Sequence, residues 1–385
     1  MKSCNTYIYI LSLLLAGGLS TTSCSDLLTE DPSSYYEKKE IFASEEKAAM
    51  AVVGVYDELP TLYSYMDMAF PCSDDTYYVS GLTADKGRRD IAHYKLTSSN
   101  TWVNSVWQGN YTRIERDNYT IEGIEGMENY EGDEGLQSLV AEAKFLRALY
   151  AFNLVRYWGD VPFKTTSTNV NKDIYQPRVS RELIYDQMID DLNFAKNHLP
   201  WATAATSPEK ATQGAARALL MRVLLQRAGY SLQMDGSITR PDDAKRKEYF
   251  EDVIEEWKAF QENKYHDFYP GGYTELFKGF SAGTIDSKES LFEVAFYSAD
   301  GKSGAKGYWG TYIGPSVAQP SIKVTEVSHF MGRASAMFRA VPEWRDFFDV
   351  QEEDEDGNII KGDERRDVMV CTYKFNWDKE LYNHK

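Results

Sequence analysis

Between Leu136 and Tyr157 the apolar positions Leu139, Ala143, Leu146, Tyr150, Leu154 and Tyr157 recur at spacings of three and four. That is the period of one face of an α-helix. Gly159 is placed to end it in a left-handed cap, and Pro162 forbids continuation. Ser180 suits the N-cap of a second helix, which runs through Leu183, Ile184, Leu192 and Ala195 to a stop at Leu199-Pro200. A third is expected from about Thr212 to Tyr230, with Ala211, Ala215, Ala216 and Ala218 permitting close approach of a neighbour. A fourth begins at Pro241, a residue suited to the first helical position, and places Tyr249, Phe250, Val253, Ile254, Trp257 and Phe260 on its buried side. An earlier pair spans roughly Ser44 to Leu59 and Thr101 to Ile121. Consecutive helices joined by short polar turns predict a mainly α protein, either a tetratricopeptide-like solenoid or an irregular bundle. After Gly271 the period is lost. Residues 279–335 are rich in Gly and Ser, with β-prone pieces such as Ser290 to Tyr297. A helical scaffold over 41–270 carrying a loop-rich, partly β subdomain over 271–385 is therefore expected.

The N-terminus changes the picture. Lys2 precedes an apolar stretch, Tyr7 to Leu15, and small residues at Ala16-Gly17-Gly18, as in an export signal. Leu19 to Cys24 then resembles a relaxed lipobox, so 1–23 reads as a lipoprotein signal peptide and 24–40 as a lipidated Cys24 with its polar tether. Two or three acyl chains on one Cys, at about 0.8 kcal/mol per buried CH₂, are enough for stable anchoring. The alternative is an ordinary cleavage site with a Cys just beyond it. No later stretch reaches the ~20 apolar residues of a membrane-spanning helix. Cys72 and Cys371 fit either a disulfide or two buried thiols.

Composition narrows the function. A net charge of −17 with no basic run opposes nucleic-acid binding. The 27 Tyr and 8 Trp exceed what a core needs and point to surface recognition. Catalytic signatures such as H-E-x-x-H, G-x-S-x-G or a P-loop are missing, so no catalytic residue and no enzyme activity is expected. The adjacent Asp74 and Asp75 would point to opposite sides of an extended segment, which argues against shared acid/base work.

Several segments together resemble the SusD/RagB family, the starch-utilisation-system D-like proteins. The longest is Ala141 to Tyr150, continuing through Leu154-Val155-Arg156-Tyr157-Trp158-Gly159-Asp160-Val161-Pro162. Gly54-Val55-Tyr56, Tyr111-x-x-Ile114 with Asn118, Ile189 to Leu192 with Leu199-Pro200, Gly214 to Leu220, Glu289 to Glu293 and Gly362 to Asp367 follow in family order. Family chains usually continue well past the last of these, so the chain reads as shortened at its C-terminus. The resemblance implies a tetratricopeptide-like scaffold with a variable subdomain. It also implies a lipid-anchored protein at the outer-membrane surface, capturing oligosaccharides, or peptides in RagB-like members, for a SusC-like TonB-dependent transporter. An outer-membrane hydrolase is the third reading and rests on carboxylate abundance alone.

Candidate contacts lie in two regions. Asp74, Asp75, Tyr77, Tyr78, Arg88 and Trp102 combine carboxylate, guanidinium and aromatic groups, the set needed to stack on pyranoses and bond vicinal hydroxyls. Tyr308, Trp309 and Tyr312 sit on a Gly-rich loop. Trp102 is balanced between ligand contact and core, whereas Trp107 is expected in the core. Glu352 to Asp363 imitates a Ca²⁺ loop but lacks Asp at its first position and Glu at its twelfth, so an acidic turn and no cofactor are expected.

Overall fold

A computed structural model describes residues 38–57, 59–63, 76–78, 86–168, 175–284, 286, 288–296, 312–314, 317–318, 336–348, 354–358, 363, 365, 373–376 and 382–383. Contacts divide the chain into residues 1–41, of which a helical turn Lys38–Ile41 is described, and residues 42–385. The second unit holds α1 (Glu45–Tyr56), α2 (Lys86–Ala92), α3 (Thr101–Glu125), α4 (Glu134–Trp158), α5 (Arg181–His198), α6 (Gln213–Ala228), α7 (Asp243–Glu262), α8 (Gly272–Ala282) and α9 (Pro342–Phe347). From α3 to α7 each helix packs on the next, and α1 lies against α3 and α4.

Polar side chains start these helices by accepting from orphan backbone N–H groups. Asp133 takes Leu136 N at 3.0 Å, Ser180 takes Glu182 N at 3.3 Å and Thr212 takes Ala215 N at 3.2 Å. Asp242 takes Lys245 N at 2.8 Å, so α7 begins two residues after the expected Pro241. Gly159 ends α4 with φ 69° and ψ −116°, a backbone strained for any side chain and different from the expected left-handed cap.

Helix α4 is not amphipathic in the way its strongest period suggests. Ala141, Phe145, Ala148 and Phe152 are buried along with Ala143, Leu146, Tyr150 and Leu154, because α1, α3 and α5 cover different sides. The signature residues explain why. Arg147 forms a bidentate pair with Asp191 of α5 at 2.8 and 2.6 Å and donates to Asn118 Oδ1 of α3 at 2.9 Å. Asn118 in turn donates to the carbonyls of Lys164 and Thr166, and Tyr111 donates to that of Pro162 at 2.6 Å. Tyr56 donates to Glu142 at 2.9 Å and accepts from Ala211 N, tying α1 to α4 and to the start of α6. Asn110 faces Asn153 while Asn118 faces Arg147, so α3 and α4 run antiparallel.

Helix α7 corrects the expected pattern. Tyr249 is buried, but Phe250, Ile254 and Trp257 are 38%, 51% and 48% exposed. The buried Glu256, ion-paired by Lys196 and Arg217, sets the rotation of the helix and turns that stripe outward.

The β content is small. β1 (Thr76–Tyr78) pairs antiparallel with β5 (Phe338–Ala340), and β2 (Ser231–Leu232) with β3 (Ile238–Thr239). β4 (Val317–Ala318) runs parallel to β6 (Tyr373–Asn376), which pairs antiparallel with β7 (Tyr382–Asn383). The β-prone Ser290 to Phe296 forms no strand. Instead Phe292 packs on Tyr56 and Phe145, and Glu293 N donates to Pro208 O at 2.8 Å.

Candidate functional site

The two candidate regions meet at Arg88. β1 pairs Tyr78 with Phe338 and Tyr77 with Arg339, and alternation along the strand sends the two tyrosines to opposite faces. Tyr78 is inside. Its ring meets Phe338 edge-on at 5.1 Å and His93 at 6.1 Å, and His93 Nε2 lies 3.0 Å from the Tyr78 carbonyl. Tyr78 is therefore a core side chain that fixes the strand, not a surface contact. Tyr77 is 43% exposed on the other face, with Arg339 directly across.

On the Tyr78 side, Met337 N donates to Tyr312 O at 2.7 Å, which fastens the 312–314 segment beside β5. Arg88 of α2 is buried, with its guanidinium carbon 4.2 Å from the Tyr312 ring centre and 4.7 Å from that of Trp102. Both separations are within cation–π range. Asn100 holds this group together. Its Oδ1 caps α3 by accepting from Trp102 N and Val103 N, and its Nδ2 donates to Gly87 O at 2.9 Å. Gly87 is required for the approach, since a Cβ there would lie 2.1 Å from Trp102 Cδ1.

Arg88, Trp102, Tyr312 and Tyr78 thus come together, whereas Tyr77 is directed away from them. Trp102 and Tyr312 are each partly exposed, so a fixed cation lies between two rings that solvent still reaches. Such a surface stacks on the C–H face of a sugar and hydrogen-bonds at its rim. Asp74, Asp75, Tyr308, Trp309, Cys24, Cys72 and Cys371 lie outside the described residues. Trp107 is in the core as expected, meeting Trp158 edge-on at 5.1 Å. Asn100 and Arg339 were not legible as site residues. The first carries the sequence signal of an N-cap, and the second carries none, because its neighbour Tyr77 is distant in the chain.

Within the expected Ca²⁺ loop, Asp354 accepts from Asp356 N, Asn358 N and Asn358 Nδ2, closing a turn in which Gly357 has φ 78°. Asp363 is ion-paired with Arg365. Among the described residues no group of three metal-binding side chains is present, and no helix is long and apolar enough to cross a membrane.

Residues 27–225 match the family model SusD-like, described as starch-binding and associating with the outer membrane. SusD-like protein P25 of Formosa agariphila is 26% identical over 223 residues, covering 54% of this chain and 40% of that protein. The crystal structure of a SusD homologue from Bacteroides thetaiotaomicron superposes with a TM-score of 0.68 at 24% identity, covering 89% of this chain and 61% of the other. A laminarin-binding SusD-like protein gives a TM-score of 0.56 at 20% identity, over 79% and 64%. The chain thus spans about two fifths to two thirds of the length of these relatives. The helical scaffold is the tetratricopeptide-like fold of those structures. With more than half its residues inside the family model, the chain belongs to the SusD-like family.

Proposed function

We propose that the protein is a cell-surface glycan-binding lipoprotein of the outer membrane, which captures oligosaccharides without cleaving them and passes them to a SusC-like TonB-dependent transporter. The observation that supports this most directly is the Arg88 guanidinium held between Trp102 and Tyr312, at the place where the two aromatic-rich regions converge. Membership of a family described as starch-binding, and a solved relative that binds laminarin, support a glycan as the captured class. Isothermal titration against laminari-, malto- and xyloglucan oligosaccharides and a peptide panel tests it. A glycan recovered intact is the expected result, and a peptide-only response or a cleaved glycan overturns it. Trp102→Ala is expected to weaken glycan binding about tenfold, equivalent to ~1.4 kcal/mol, and unchanged affinity would remove this surface from the site.

Anchoring is tested separately. In Cys24→Ala the acyl chains are lost, and fractionation is expected to move the protein from membranes to the soluble pool. Retention on membranes by the variant would argue for another anchor.

A further inference from the structure

A second recess lies where the C-terminal ends of α4 and α6 meet the start of α5. It has a volume of about 210 Å³ and is lined by Arg156, Tyr157, Trp158, Arg181, Gln226 and Tyr230, among others. The described lining contains two guanidinium groups and no carboxylate, in a protein whose net charge is −17. By contrast, the hollow beside Tyr130 is lined by Glu128, Glu131, Asp133 and Glu134.

The cations are positioned by the signature segment that ends α4. Arg181, 8% exposed, receives its orientation from Asp160, whose Oδ1 accepts from Arg181 Nε at 2.8 Å and from Arg181 N at 3.1 Å. Its Nη2 donates to Leu232 O at 2.8 Å, and its Nη1 has no hydrogen-bond partner among the described residues. Gly159 makes room for it, since a Cβ there would be 2.4 Å from Arg181 Nη2. Arg156 is exposed, lying 4.7 Å over the Tyr157 ring and donating to its hydroxyl at 3.0 Å. The aromatic part is equally fixed on one side, because Trp158 is braced by Trp107 and Tyr157, while Tyr230 is 64% exposed at the rim.

Rings beside the exposed Arg156 guanidinium and the Arg181 guanidinium, which is ion-paired with Asp160 but keeps Nη1 without a hydrogen-bond partner among the described residues, match a ligand with an apolar ring face and an anionic substituent. The volume is below the roughly 300 Å³ at which pockets for drug-sized ligands begin, so it suits a single sugar ring. We infer that this recess binds one anionic pyranose, a uronate or a sulfated sugar, with the acid group between Arg156 and Arg181 and the ring against Tyr230 and Trp158. None of these residues belongs to the Arg88 group, so this site stands or falls independently of the glycan capture proposed there.

Saturation-transfer NMR on the full chain with methyl β-D-glucuronide, glucose 6-sulfate and methyl β-D-glucoside tests it. At least one anionic sugar is expected to bind about tenfold tighter than the neutral glucoside, and which one binds identifies the acid group. Arg156→Gln and Tyr230→Ala are each expected to weaken that binding about tenfold, while Trp102→Ala leaves it unchanged within about twofold. Absence of transfer to both anionic sugars, equal binding of the glucoside, insensitivity to both recess substitutions, or loss in Trp102→Ala would each overturn the assignment.

Discussion

Asp191→Ala is expected to destabilise the protein by about 3–5 kcal/mol, the range for removing one partner of a buried ion pair. The Arg147 and Asp191 side chains are 4% and 3% exposed, and both guanidinium–carboxylate contacts are short. Burial opposes the Arg147 charge, yet Asp191, by its charge and hydrogen bonds, more than offsets this and raises the Arg147 pKa above its ordinary value. Without Asp191 the guanidinium stays buried, held by the carbonyl of Thr165 and by Asn118. The loss also reaches Gln187, which donates to the same carboxylate. The double variant Arg147→Met/Asp191→Leu removes both charges and is expected to recover much of the stability, since apolar replacement of a buried pair is often neutral. Denaturant midpoints for the two single variants and the double measure the coupling. A loss below about 1 kcal/mol in the single variant would be the behaviour of a surface pair and would mean that water reaches this one.

The role of this pair lies beyond any local signal in the sequence. Periodicity located α4 to within two residues at its start and one at its end, and Ser180 was recognisable as a cap, because both signals are local. Arg147, Asp191, Asn118 and Tyr111 stood out in the family signature, but their task did not. Each reaches a partner at least 29 positions away, and no local pattern records that distance. The outward face of α7 departs from its apolar spacing for a related reason, since a buried Glu256 with two cationic partners outweighs that spacing. At the candidate site, aromatic enrichment pointed to Trp102 and Tyr312. The pairing of a three-residue strand with another some 260 positions later decided that Tyr78 faces inward and Tyr77 outward.

Beside the same ion pair, Asp117 is expected to make the protein lose stability as the pH rises. Its side chain is fully buried on α3, and neither carboxyl oxygen has a hydrogen-bond partner among the described residues. Burial pushes its pKa well above the ordinary carboxylate range. Arg147 and Arg113 pull it down and Asp191 pushes it up, and burial prevails. The folded state therefore holds a proton that the unfolded chain releases near pH ~3.9. Stability from this group is complete below that pH and declines as the pH rises toward the folded pKa, by about 1.4 kcal/mol for each pH unit between the two values. Asp117→Asn keeps the shape and removes the titration. Relative to wild type the variant is expected to gain stability progressively from about pH 4 upward, levelling only where Asp117 ionises in the fold. Urea denaturation of both proteins across about pH 4 to 8 measures that difference. If it stays flat, or if wild type gains on the variant as the pH rises, Asp117 is ionised in the folded state and Arg113 and Arg147 have overcome its burial.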